Sequence, residues 1–305
     1  MISMPLNDSF GRTITDLRVS VTDRCNFRCI YCRSAEPENY LPGAHLLTWP
    51  EHKRLCCILA DLGIRKIRVT GGEPLVRRGV EDFIRWLRSE ALFEDIALTT
   101  NGFSLAEKAP ALKAAGLDRV NVSLDSLRAD RCDRITRTRG ALARVLVGIK
   151  AAEATGLAPV KVNAVIVRGF NDDEILDFAE FGRSHKLVMR FIEFMPLDAD
   201  HIWDRNCVVT AEEMLARLYQ IDDLVELPRQ VTSETALRYR FADGSAEIGI
   251  VAPVSRPFCG QCSRIRLTAD GKIRTCLFSV ADHDLRGLLR NGVSDAVIAR
   301  TIEEI

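Results

Sequence analysis

The chain has 305 residues, 47% of them hydrophobic, which is enough for one large α/β domain or for a domain with a smaller appendage. Its 42 basic and 42 acidic side chains cancel, so bulk charge gives no reason to expect nucleic acid or a membrane as partner, and any basic site has to be local. No stretch approaches the roughly 18 apolar residues of a membrane span, and the opening MISMPLNDSF lacks the basic patch and apolar run of a secretion signal, so a cytoplasmic location is expected.

Six β-branched runs recur along residues 1–200: LRVSVT (17–22), KIRVT (66–70), IALTT (96–100), RVNVSLD (119–125), VKVNAVIV (160–167) and VMRFIEF (188–194). Helical patterns stand between them. TWPEHKRLCCILADLG (48–63) opens with Thr48 and Glu51 at capping-box spacing and ends at Gly63. GVEDFIRWLRSE (79–90), LAEKAPALKAAG (105–116) and ARVLVGIKAAEATG (143–156) follow, the last two closed by glycine. Strand then helix, repeated about six times, predicts an α/β fold of parallel strands with crossover helices. Six units fit a partial (βα)6 barrel of the TIM type better than a closed barrel of eight, and a doubly wound open sheet is the competing architecture. After Pro196 the rhythm changes. A helix over 210–220 precedes ALRYRFA and AEIGIVAP, joined by the hairpin signal Asp243-Gly244, and Asp270-Gly271 joins RIRLT to KIRTCLF. Residues 201–305 are therefore expected to form a smaller α+β subdomain.

Ten cysteines in such a chain point to metal or redox chemistry rather than a disulfide framework. Cys56 and Cys57 lie among Leu55, Ile58 and Leu59 in a helical pattern and are read as packing residues. Cys132 and Cys207 stand alone, and the five histidines share no motif and receive no role. The segment TDRCNFRCIYCRS (22–34) is different, with Cys25, Cys29 and Cys32 inside eight residues. Thiolates at this spacing can each hold one iron of a cubane. No fourth cysteine lies nearby, so one iron stays open to an outside ligand, as catalytic metal sites require. Structural zinc is the competing reading, but it wants a fourth ligand, and the nearest histidine, His45, is thirteen residues beyond Cys32.

With an aromatic residue, Tyr31, before the third cysteine, this motif resembles that of the radical S-adenosylmethionine (SAM) superfamily. The resemblance implies a 4Fe–4S cluster whose open iron chelates the amino and carboxylate groups of SAM, and whose electron releases a 5′-deoxyadenosyl radical. TGGEP (70–74) taken alone is a tight βα turn. One strand after a cluster loop, it resembles the segment that binds the SAM amino group, with Gly72 and Glu73 nearest. TTNG, SLD and EFM close the third, fourth and sixth runs, where barrel active sites are built. By the same resemblance Tyr31, Ser123 and Met195 contact SAM, although Met195 on its own would be ordinary packing.

Basic residues also sit inside the predicted strands: Arg18, Lys66, Arg68, Lys161 and Arg190. Unpaired buried charge is costly. Asp125 or Glu193 would neutralise one or two of them. Five cations from four strands favour an anionic ligand, with phosphate the best match. A second group, Cys259, Cys262 and Cys276, again numbers three, and zinc competes more strongly here because Cys-x2-Cys knuckles are common. Arg264 and Arg266 alternate, so they share a face.

The two triplets, with IRVTGGEPLVRR, NVSLDSL, KVNAV, RFIEFM and RIRLTADGK, together resemble the GTP 3′,8-cyclase family of molybdenum cofactor biosynthesis from about residue 15 to 292. The resemblance implies hydrogen abstraction from the ribose 3′ carbon of GTP and attack of the sugar radical on carbon 8 of guanine. It also implies a second 4Fe–4S cluster on the later triplet, its open iron binding the guanine. Matching positions for GTP are Arg18, Arg68, Thr99, Lys161, Arg264, Ile265 and Arg266, with Arg190 added for phosphate. A homodimer and a following enzyme, cyclic pyranopterin monophosphate synthase, are implied as well. Three departures stand out: Arg33-Ser34 replaces the usual Met-Pro, Ser263 replaces an asparagine, and the chain reads to Ile305 without the Gly-Gly tail common in the family. The last predicts binding of both clusters and SAM with weak or absent cyclisation. The rival readings are a peptide-modifying radical SAM enzyme with an auxiliary cluster, and a non-catalytic protein stapled by its metals.

Overall fold

A computed structural model describes residues 5–36, 39–279 and 282–305. Residues 1–4, on which the reading of the amino-terminal segment partly rests, lie outside the described residues. The six predicted strands form at β1 (Asp16–Ser20), β2 (Lys66–Thr70), β3 (Asp95–Thr100), β4 (Arg119–Ser123), β5 (Lys161–Ile166) and β6 (Val188–Glu193). Each pairs in parallel with the next, so spatial order follows chain order with none of the reversal that a doubly wound sheet requires. Alternation explains the mixed composition of these strands. In β2, Ile67 and Val69 are buried, while Lys66, Arg68 and Thr70 take the opposite face.

The crossover helices are α1 (Trp49–Asp61), α2 (Val80–Ser89), α3 (Leu105–Ala114), α4 (Ala129–Thr136), α5 (Ala141–Ala154) and α6 (Ile175–His185). The Thr48–Glu51 capping box forms at the start of α1: the Thr48 N–H donates to Glu51 Oε2 at 2.6 Å, and the Glu51 N–H donates to Thr48 Oγ1 at 3.3 Å. Cys56 is fully buried there and Cys57 half-buried. Helices α4 and α6 are absent from the sequence-based reading.

The later elements are α7 (Ala211–Leu218), β7 (Leu224–Leu227), β8 (Ala236–Phe241), β9 (Glu247–Val251), β10 (Arg264–Leu267), β11 (Lys272–Arg274), β12 (His283–Asp284), α8 (Leu285–Arg290) and α9 (Asp295–Glu303). Their strands join the same twelve-stranded sheet, in the order β12-β11-β10-β1-β2-β3-β4-β5-β6-β9-β8-β7. The expected antiparallel pairs are present as β7–β8–β9 and β10–β11. The joins to the first six strands, β10 to β1 and β9 to β6, are parallel. Residues after 200 thus flank the six-stranded core on both sides.

Glu193, at the end of β6, fastens one flank. Wholly buried, its carboxylate accepts the Ala211 N–H at 2.9 Å, the Val254 N–H at 2.8 Å, the Ser255 N–H at 2.9 Å and the Ser255 hydroxyl. Sequence reasoning offered it to the basic strand residues instead. The structure assigns it to backbone donors that no other acceptor satisfies. Glu193→Ala is expected to destabilise the protein by roughly 2–3 kcal/mol, because the buried Ala211 N–H and the partly buried Val254 and Ser255 N–H groups lose their acceptor at about 1 kcal/mol each. A fall in the urea midpoint without a change in slope would show it.

Candidate active site

The first cysteine triplet follows β1, at the carboxyl ends of the strands. Its loop is pinned from two sides. From the strand side, the Gly72 N–H donates to Thr22 O at 2.7 Å and the Glu73 N–H to Arg24 O at 2.8 Å. From the helix side, the Arg28 and Ile30 N–H groups donate to the carbonyls of Thr136 and Ile135 at the end of α4. A Cβ on Gly72 would stand 2.2 Å from Arg24 O, so glycine is needed there for the approach of one backbone to another. Within the loop the Cys32 and Arg33 N–H groups both donate to Cys29 O at 2.9 Å. The result is three thiols outside any disulfide, Cys25, Cys29 and Cys32, facing one cavity of about 430 Å³. Burial pushes the Cys25 thiol up and the Cys29 thiol well up. Cys25 Sγ accepts from the Phe27 N–H at 3.4 Å and from Asn101 Nδ2 at 3.8 Å.

The residues expected around SAM divide. Gly72 lines this cavity. Glu73 sits beside it, but both carboxylate oxygens are taken: Oε1 by the Leu75 N–H at 3.0 Å and the Thr100 hydroxyl at 2.7 Å, Oε2 by the Asn101 N–H at 2.6 Å. Tyr31 donates its hydroxyl to Asp125 Oδ2 at 2.6 Å. Burial pushes Asp125 up to about 6, against the lowering effect of Tyr31 and of the Val165 N–H on its other oxygen. Asp125, like Glu193, is therefore engaged away from the basic strand residues. Ser123 ends β4. Met195 lines the cavity of the second triplet. Sequence reasoning missed that the β10–β11 turn, Thr268 to Asp270, and Arg274 reach the first cavity, because that placement depends on β10 docking beside β1.

Toward the amino ends of the same strands lies a cavity of about 460 Å³, with Arg18, Lys66, Arg68, Lys161, Arg190 and Arg264 in its wall. Among the described residues none of these six has a carboxylate within ion-pair distance. The acids of the wall are used otherwise: Asp95 pairs with Arg119, Asp16 accepts the Ser263 and Thr15 hydroxyls, and Glu234 pairs with Arg238 at 3.7 Å. Burial, reinforced by Arg119 and Arg190, brings Arg68 down to about 9. Burial and the neighbouring Arg190 bring Lys161 down to about 8. Burial first, then Arg68, Arg264 and Arg266, hold Arg18 well below its ordinary value. Arg119 was missed by sequence reasoning, although it opens β4 on the same face as Ser123. Thr99 lies on β3 with a buried hydroxyl that no described group satisfies.

Cys259, Cys262 and Cys276 open onto a third cavity, of about 160 Å³, whose wall includes Arg264, Ile265 and Arg266. Arg264 also lines the basic cavity, so it joins the two. Its Nε donates to Cys262 Sγ at 3.3 Å. Burial alone would raise that thiol, and the adjacent guanidinium outweighs it and brings Cys262 below its ordinary value. Ile265 turns away from the arginines into the core, 4% exposed.

Among the described residues no three His, Cys, Asp or Glu side chains converge as one metal ion would need. Three thiols around one cavity offer the donor set of a cluster in which each takes a different iron. Both triplets fit that description.

The sequence profile of the radical SAM superfamily matches residues 19–182, and that of Molybdenum Cofactor Synthesis C matches residues 187–305. The chain is 48% identical over 299 residues to a GTP 3′,8-cyclase of Mycolicibacterium smegmatis, covering 96% of this chain and 82% of that protein. It is 43% identical to that of Acidothermus cellulolyticus (99% and 85% covered) and 45% identical to that of Moorella thermoacetica (96% and 90% covered). Among solved structures, Streptococcus suis SuiB bound to S-adenosylmethionine superposes with a TM-score of 0.66 at 14% identity, over 98% of this chain and 68% of that one. The anSMEcpe enzyme with bound AdoMet and a peptide superposes with a TM-score of 0.58 at 14% identity, over 88% and 75%. These two likenesses are of fold.

Proposed function

The chain belongs to the GTP 3′,8-cyclase family of the radical SAM superfamily, and from that premise we propose how its own residues carry out the reaction. It is a lyase that converts GTP to (8S)-3′,8-cyclo-7,8-dihydroguanosine 5′-triphosphate, the first step of molybdenum cofactor biosynthesis. Strands β1 to β6 serve as a partial barrel, with residues 201–305 as the part that carries the second site. Cys25, Cys29 and Cys32 hold the 4Fe–4S cluster that binds SAM. When bound, these groups supply the electron and the radical that takes a hydrogen atom from the substrate. Gly72, Glu73, Tyr31, Ser123 and Met195 surround SAM, Glu73 and Tyr31 by fixing the turn and the loop that carry their neighbours. Cys259, Cys262 and Cys276 hold a second 4Fe–4S cluster beside the guanine.

What the protein itself contributes is position. Arg18, Arg68, Lys161 and Arg190 grip the triphosphate, Thr99 lies above them, and Arg264, Ile265 and Arg266 flank the base. A radical reacts with whatever is near, so the cationic grip sets which C–H bond is in reach. The observation that supports this reading is a cavity walled by six cations that, among the described residues, have no carboxylate within ion-pair distance, adjoining the second three-thiol cavity at Arg264. A homodimer in the cytoplasm, passing its product to cyclic pyranopterin monophosphate synthase, completes the proposal. Among the described residues no helix is long and apolar enough to cross a membrane. The test is anaerobic reconstitution to about eight irons per chain, followed by incubation with SAM, GTP and a reductant and mass analysis of the products. GTP-dependent cleavage of SAM to 5′-deoxyadenosine is expected, and any nucleotide product is the cyclised triphosphate. Turnover of SAM only with a peptide would favour the peptide-modifying reading instead.

Lys161 gives this proposal a pH signature. Its folded value of about 8 lies below the ordinary 10.5, so between those two values the unfolded chain holds a proton that the folded, ligand-free chain lacks. Stability therefore rises with pH across that window. A triphosphate on the ammonium reverses the preference, and substrate binding takes up a proton. GTP affinity is expected to fall about fivefold between pH 8 and pH 9. Calorimetry in buffers of different ionisation enthalpy reads both effects, and a flat affinity over that range would remove Lys161 from the grip.

A further inference from the structure

Seven buried side-chain polar atoms lack a hydrogen-bond partner among the described residues, and five of them belong to one strip of the sheet interior. They are Thr99 Oγ1, both amide atoms of Asn121, Asn163 Oδ1 and Arg190 Nε. Register joins them. Thr99 lies beside Asn121 and Asn121 beside Lys161, while Asn163 lies between Ser123 and Arg190. Asn121 is the extreme case, fully buried with neither its donor nor its acceptor used. Its neighbours Val120 and Val122 pack into the core on the other face, so its amide points with Arg119 and Ser123 into the interior. Buried polar groups without partners are rare in folded proteins, and each calls for an explanation. A valine or leucine would fill this mid-strand position without that cost.

We propose that Asn121 is a substrate-positioning residue whose amide hydrogen-bonds the ribose hydroxyls of the bound nucleotide, donating to one and accepting from the other. The inference rests on the nucleotide reading above and extends it to a residue that reading did not use. Two features select the sugar. A carboxamide offers a donor and an acceptor together, which matches a neutral diol, whereas its oxygen would repel phosphate. Position agrees: Arg119, two residues nearer the amino end, lines the cationic cavity, and Ser123, two residues nearer the carboxyl end, leads toward the first cysteine site. Each step is about 6.6 Å. Asn121 therefore stands between the place for phosphate and the place where hydrogen is taken, where the reacting sugar has to lie.

The test uses the reconstituted protein and compares wild type with Asn121→Leu, which keeps the volume and removes the polarity. Affinities are measured for GTP, 2′-deoxy-GTP and 3′-deoxy-GTP, together with iron content, SAM binding and ligand-free thermal stability. The variant is expected to bind GTP about 10- to 100-fold more weakly and to lose the wild-type preference for GTP over the deoxy analogues. Its iron content and SAM binding should be unchanged, and its melting temperature should not fall. Asn121→Ala, in which water can occupy the space, should show the same loss of preference and serves if the leucine variant folds poorly. Equal weakening for all three nucleotides, unchanged GTP affinity, or a lower melting temperature with affinity intact would overturn the assignment. Wild-type protein that binds no GTP would instead overturn the functional proposal on which it rests.

Discussion

Gly72→Ala is expected to abolish cyclisation and to lower the iron content of the reconstituted protein from about eight to about four per chain. The new Cβ would lie 2.2 Å from Arg24 O, 2.5 Å from Arg24 C and 2.7 Å from Asp23 O. All three are backbone atoms, so no side-chain rotation relieves the clash. Retreat of the glycine segment is blocked as well, because the Gly72 and Glu73 N–H groups are bonded to Thr22 and Arg24 of the same loop. The loop has to move, and Cys25 is the residue after Arg24. The cavity of the second triplet shares no lining residue with the first, so the irons proposed for it should remain. Iron analysis, SAM binding and circular dichroism on one preparation separate the outcomes. Full loading with normal SAM binding would show that the loop adapts, and would remove the close approach as the reason for glycine.

That contact also marks how far the sequence could be read. The six parallel strands were legible because β-branched runs alternate with helical periodicity, and the capping box at Thr48 and Glu51 set one helix start. Helix α4 was not, since ADRCDRIT carries charges at Asp130, Arg131, Asp133 and Arg134 and buries only a narrow face with Cys132, Ile135 and Thr136. The docking of β10 beside β1 joins residues about 250 apart in the chain, and no local pattern encodes it. For the same reason the turn from Thr268 to Asp270 could not be assigned to the first cysteine cavity. The cysteine triplets and strand cations were visible as residue types at telling positions. Which acids meet them was not: Asp125 goes to Tyr31, Glu193 to the backbone of the carboxyl-terminal flank and Glu73 to the start of the loop after β3. Hydrogen-bond partners depend on side-chain direction in the folded state, and spacing alone does not supply it.

The cations left without partners lead to the second large effect, in which stability and binding move in opposite directions. Arg68→Met is expected to raise the melting temperature of the ligand-free protein while weakening GTP binding about 100-fold. Arg68 is half-buried in the wall of the cationic cavity, Arg119 and Arg190 repel it, and no carboxylate among the described residues pairs with it. Removing one partner of a buried ion pair destabilises a protein because it strands a charge. Here the charge is already stranded, and methionine replaces it with a flexible apolar chain of similar reach. The same substitution would delete the charge-assisted contact proposed between Arg68 and the triphosphate, of about 2–3 kcal/mol, which corresponds to a loss of roughly 30- to 150-fold. Raised salt should narrow the gap in ligand-free stability by screening the repulsion that wild type suffers. A residue that merely packs the barrel would lose stability when replaced, and one that pairs internally would lose more. Only a residue held in reserve for an anion gains stability on removal and loses the ligand, so a fall in both quantities would place Arg68 in the scaffold rather than in the grip.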